Sequence, residues 1–145
     1  MQSQDIVLQR SLHNFYTKDN NLEKILPIIT GDSHISLRIV DWFTTNYSKQ
    51  YCTLYLIEHP NYKSEKERFK VYNNYKLQLK SFSKKRFDPF CRWERIRLQC
   101  DQNKFIETTI GQLNFFRWVI ENKILEYIET HFEDIEKDKI GRAHV

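Results

Sequence analysis

Apolar side chains return along this chain at two spacings, near 3.6 and near 2, and each change of spacing marks an element. Ile35, Ile39, Trp42, Phe43 and Tyr47 recur at helical intervals that fade near Ser48-Lys49-Gln50. Tyr51 to Ile57 is short and rich in aromatic and branched residues, which predicts a strand ended by Glu58-His59-Pro60-Asn61. Winding Lys66 to Lys85 as one helix puts Phe69, Tyr72, Tyr75, Leu79 and Phe82 on one side. Lys66, Lys70, Lys80 and Lys84 then line the other side, with Lys76 beside them. Pro89 disfavours helical geometry at Asp88, so Phe87-Asp88-Pro89-Phe90 ends that helix. Ile96, Leu98 and Cys100 alternate with Arg95, Arg97 and Gln99, the period of a half-buried strand. Asp101-Gln102-Asn103 is turn chemistry, and Lys104 to Thr108 returns as the second arm of a hairpin near residues 94–108.

Thr109 followed three residues later by Gln112 reads as a capping box that opens a helix through Leu113, Phe116, Trp118, Val119 and Ile120. Asn122-Lys123 breaks it, and Ile124, Tyr127, Ile128, Phe132 and Ile135 carry a second amphipathic stretch. Before Ile35 the pattern is weaker. Asp5 to Tyr16 mixes short apolar runs with helical spacing, and Lys18 to Asn21 is a polar turn. Pro27 inside Leu22 to Ile29 excludes a long regular helix there. Thr30-Gly31-Asp32-Ser33 reads as a turn that supplies the next helix cap. The expected architecture is α+β: amphipathic helices packed on a small antiparallel sheet, in a single domain.

Composition narrows the class. A chain of 145 residues that is 40% hydrophobic is too apolar to be disordered and too short for two ordinary domains. No run approaches the roughly 18 apolar residues of a membrane span, and Met1-Gln2-Ser3-Gln4-Asp5 lacks the features of a secretory signal. Cys52, Cys91 and Cys100 make an odd number, which argues for a reducing compartment and against a disulfide framework. Lys, Asn, Ile, Tyr and Phe supply 57 of the 145 residues, whereas Ala occurs once, the imprint of a genome poor in G and C. That Ala sits in Ile140-Gly141-Arg142-Ala143-His144-Val145, a string that reads as a translated short-read sequencing adapter. The native domain is therefore expected over residues 1–139, with 140–145 not native.

Charge adds a direction. Between Lys63 and Arg97 there are twelve Lys or Arg against four Asp or Glu, while Glu107 to Asp138 holds eight acids against three bases. Such asymmetry speaks to partners rather than to fold. Lys66, Lys70, Lys80, Lys84 and Lys85 would attract phosphates without reading bases. Arg86, Arg92, Arg95 and Arg97 would make fixed phosphate contacts, and Phe87, Phe90 and Trp93 are placed to stack on unpaired bases. The bland alternative is a solvated helix face over core aromatics.

Other chemistry is sparse. Cys91 and Cys100 lack paired ligands, and His13, His34, His59 and His131 are scattered, so no metal site is expected. Three glycines cannot build a phosphate-cradling loop. Asp88 and Glu94 are the acids best placed for special geometry, yet an Asp-Pro turn is ordinarily only a turn. No catalytic motif and no cofactor follow.

Four blocks carry a resemblance: Ser36-Leu37-Arg38-Ile39-Val40-Asp41-Trp42-Phe43, Tyr75 to Lys85, Phe87-Asp88-Pro89-Phe90-Cys91-Arg92, and Thr108 to Trp118. In these the chain resembles an uncharacterised family of large double-stranded DNA viruses of eukaryotes, the giant-virus group. Trp93 departs from that family, whose members tend to carry a basic residue there. The resemblance implies an intracellular product of an infected host, in cytoplasm, nucleus or virion, and implies no activity. Two functions fit these observations. One is a non-enzymatic protein that contacts DNA or RNA non-specifically through residues 63–97, in genome handling or transcription. The other is a protein-interaction or virion-structural module that uses the aromatic segment 113–118 against a viral partner.

Overall fold

The computed structural model describes residues 3–58, 61–62 and 64–143. The chain opens with α1 (Ser3–Tyr16), whose Leu12 and Tyr16 are buried, and Asp19 and Asn20 turn it through left-handed backbone into α2 (Asn21–Thr30). Pro27 lies inside α2 rather than ending it. It is exposed, as is Glu23, whose carbonyl it leaves without a donor, so water can take up the loss. Gly31, at φ 85°, closes the helix.

The cap of the next helix comes from Ser36 and not from the Thr30–Ser33 turn: Ser36 Oγ accepts from the Ile39 N–H at 3.1 Å. From there α3 (Leu37–Trp42), a π-helical turn (Phe43–Tyr47) and α4 (Ser48–Gln50) run on as one rod. The Thr44 and Thr45 hydroxyls both donate to the Asp41 carbonyl, at 3.0 and 2.8 Å, and compete with the ordinary helical ladder where it widens.

Two antiparallel hairpins follow, each a separate two-stranded ribbon. In the first, β1 (Leu54–Glu58) pairs with β2 (Lys66–Lys70) so that Leu54 faces Lys70, Leu56 faces Arg68 and Glu58 faces Lys66. Residues 66–70 are thus a strand, and the helix expected from Lys66 begins only at α5 (Val71–Phe87). Ser83, at φ 71°, interrupts α5 near its end. The second hairpin, β3 (Arg95–Asp101) with β4 (Lys104–Thr109), lies where the alternation places it.

Thr109 Oγ1 accepts from the Gln112 N–H at 3.0 Å and starts α6 (Ile110–Glu121). Gln112 does not complete the reciprocal box, since its Oε1 accepts from the Thr108 hydroxyl at 2.6 Å. Left-handed Lys123 begins α7 (Ile124–Thr130), and α8 (Phe132–Ala143) follows.

Helix α6 is the centre of the core, with Ile110, Leu113, Phe115, Phe116, Trp118, Val119 and Ile120 all buried. Helices α1, α5 and α7 and strand β4 pack around it. Buried rings interlock there: Phe87 meets Phe115 and Trp118 edge-on, with centroids 5.6 Å apart in each pair. Several buried polar side chains find partners. The Tyr16 hydroxyl donates to the Leu113 carbonyl, Trp118 Nε1 to Asn74 at 2.7 Å, and Asn114 to the Arg86 carbonyl at 2.8 Å. The aromatic segment 113–118 is therefore core and presents no surface ring to a partner.

Candidate functional site

The register of β1 and β2 decides where the first cations point. Glu67 and Phe69 turn inward, so Lys66, Arg68 and Lys70 share the exposed face of β2, beside Leu54 and Leu56 of β1. Leu54 and Leu56 are 43% and 59% exposed. The inner face is held by rings: Tyr55 stacks on Tyr127 at 5.1 Å, and its hydroxyl donates to the Asn122 carbonyl.

Where β2 passes into α5, a shallow depression is lined by Lys49, Leu54, Lys70, Tyr72 and Asn73. Tyr72 and Asn73 also border the next depression along α5, with Lys76, Leu77 and Lys80. Lys49 and Lys76 flank Tyr72, their ammonium groups 5.5 and 5.8 Å from the ring centre. Among the described residues, Lys49, Lys66, Arg68, Lys70, Lys76 and Lys80 are exposed and form no ion pair within 4 Å.

The remaining sequence-predicted cations lie beyond the Ser83 break in α5 or on the loop and strand that follow it. Lys84 is loosely paired with Asp88 at 4.0 Å. Lys85 and Arg86 cover the Trp93 ring at 5.5 and 5.4 Å, which removes Trp93 as an open stacking platform. Arg86 does not face solvent as a phosphate contact: its Nε donates to Asp5 at 2.5 Å, with 21% of its side chain exposed. Arg92 is exposed. On the outer face of β3, Arg95 pairs with Glu107 at 3.7 Å and Arg97 lies over Phe105 at 4.9 Å. Phe87 is fully buried, whereas Phe90 is 47% exposed.

So Lys66 and Lys70 share the outer face of β2 and Lys80 lies along α5 beyond them, while Lys85 and Arg86 meet at Trp93, Lys84 leans on Asp88, and Arg95 and Arg97 sit on the outer face of β3. Three residues near Lys66, Lys70 and Lys80 escaped the sequence reading as site residues: Lys49, Arg68 and Lys76. Arg68 was findable, because Glu67 and Phe69 alternate with Lys66, Arg68 and Lys70 at period two; the helical continuation from Tyr72 hid it. Lys49 arrives from a different element and left no local signal.

Elsewhere the chemistry is modest. Asp88 caps its own turn, accepting from the Phe90 N–H at 2.7 Å, and Glu94 is left-handed at φ 51°. Cys52, Cys91 and Cys100 are free thiols. Among the described residues no group of three His, Cys, Asp or Glu side chains is placed to hold a metal ion, and no helix is long and apolar enough to cross a membrane.

An uncharacterized protein of Acanthamoeba polyphaga mimivirus is 42% identical over 137 residues, a match covering 91% of this chain and 52% of the relative. The chain thus spans about half the length of that relative. No solved structure matches it. The family match extends over residues 1–143, from α1 through α8 and across both hairpins and the cations described above: the chain belongs to DUF7197, a family of unknown function.

Proposed function

We propose that this chain is a non-enzymatic viral protein of the infected cell that contacts nucleic acid through the β2–α5 surface. The observation that carries the reading is the set of six exposed cations without carboxylate partners among the described residues: Lys49, Lys70, Lys76 and Lys80 border the depressions beside Tyr72, and Lys66 and Arg68 continue from Lys70 along the outer face of β2. Unpaired ammonium and guanidinium groups keep their full attraction for phosphates, and each counterion they displace adds to binding. The cations beyond the Ser83 break contribute less, since Arg86 and Arg95 are already paired with carboxylates. A role in genome handling or transcription suits such a surface.

Salt titration tests this. With about six phosphates neutralised, affinity for a labelled oligonucleotide should fall roughly a thousandfold between about 50 and 200 mM salt. The double variant Lys70→Glu, Lys76→Glu should abolish binding while leaving the circular dichroism spectrum unchanged. Absence of binding to any DNA or RNA at low salt refutes the reading.

A further inference from the structure

Resting on the nucleic-acid reading, we infer that the preferred ligand is B-form duplex DNA, with the β1–β2 ribbon seated in the major groove. The ribbon is two strands wide, joins no further strand among the described residues, and packs through one face only. With a strand spacing of about 4.8 Å, a two-stranded ribbon and its side chains fit a groove about 12 Å wide. Lys66, Arg68 and Lys70 stand about 6.8 Å apart along β2, so the five-residue strand runs past roughly four base-pair steps.

The composition of the outer face suits a groove floor better than a phosphate surface alone. Leu54 and Leu56 lie directly across from Lys70 and Arg68. Phosphates offer these leucines nothing, whereas the thymine methyl group in the major groove is an apolar contact. Arg68, at the middle of β2, has the fork geometry that matches the paired acceptors of guanine. Glu58, across from Lys66 at the end of the ribbon, supplies an acceptor of the kind that meets the cytosine amino group. Lys49, Lys76 and Lys80 lie beyond the β2–α5 junction, where the sugar–phosphate rim of the groove would run. Single strands lack a groove, and duplex RNA has a major groove too deep and narrow for a ribbon to enter.

The test measures anisotropy of labelled 20-base-pair DNA, 20-base-pair RNA and a 20-nucleotide single strand at about 50 mM salt, with the full chain. The expected result is duplex DNA bound at least about tenfold more tightly than duplex RNA, a preference that Arg68→Ala removes. Lys80→Ala should instead weaken binding to all three ligands by a similar factor. Equal binding to all three, or a preference that survives Arg68→Ala, overturns the ribbon-in-groove inference and leaves nucleic-acid contact standing. If no nucleic acid binds, or only phosphatidylserine vesicles do, both readings fall. Near-native ellipticity of each variant separates lost contact from lost fold.

Discussion

Asp41 occupies the penultimate position of α3, just before the π-helical turn, with its side chain partly buried. Burial pushes its carboxyl up to about 6, and the nearby Asp88 carboxylate adds to the shift. Tyr75 belongs to the same neighbourhood: burial first, then the charges of Asp41 and Asp88, raises its phenol to about 12. Since the folded value for Asp41 exceeds the unfolded one near 3.9, the native state binds more protons between about pH 4 and 6. This group's contribution therefore favours folding below about pH 4 and declines as pH rises through 6. Asp41→Asn should raise stability at pH 7 by about 1 kcal/mol after allowance for solvent screening. Thermal melts at pH 7 and pH 4 check this, because the gain must vanish at the lower pH.

Among the elements, α6 passes close against the end of α5 at Gly111. A methyl group placed on Gly111 would lie 2.8 Å from the Asp88 carbonyl oxygen and 2.9 Å from that of Lys85, both backbone atoms with little room to move. Gly111→Ala should cost about 1–3 kcal/mol, read as a lower urea midpoint at unchanged m-value. Gly141→Ala is the control: nothing lies within 4 Å of that site, so the helix-propensity gain is unopposed. Local signals served most elements well. The alternation of Ile96, Leu98 and Cys100 located β3, and Thr109 located the start of α6. They failed for residues 66–70, where helical and strand periods both fit. The choice fell to β1, whose five residues pair one-for-one with β2. At α2 the signal was partial: Pro27 left room only for a short helix, and the ten residues of α2 accommodate it where its lost hydrogen bond faces water.

Across the whole molecule, one ion pair ties the first helix to the body. Asp5 is 1% exposed, and the hydrogen bond from Arg86 holds its carboxyl below the usual carboxylate range. A depressed folded value means this contribution is complete above the unfolded value near 3.9 and is lost as pH falls through the folded one. Asp5→Asn should lower the melting temperature at pH 7, with the gap to the parent chain closing under acid conditions; a gap independent of pH would deny the pair its role. The same contact takes Arg86 out of the cationic surface, although nothing near Arg86 in the chain announces it, because Asp5 lies 81 positions away.

Charge density over 63–97, the hairpin at 95–109, the amphipathic course of α5 and the start of α6 follow from residues within a few positions of one another, and so were legible in the sequence. Which cations remain unpaired, that Arg68 joins them, that Lys49 arrives beside Tyr72, and that segment 113–118 is interior all depend on partners brought together by folding. Periodicity sets which side of an element is apolar. Only packing sets what that side meets, and so which charges are left facing water.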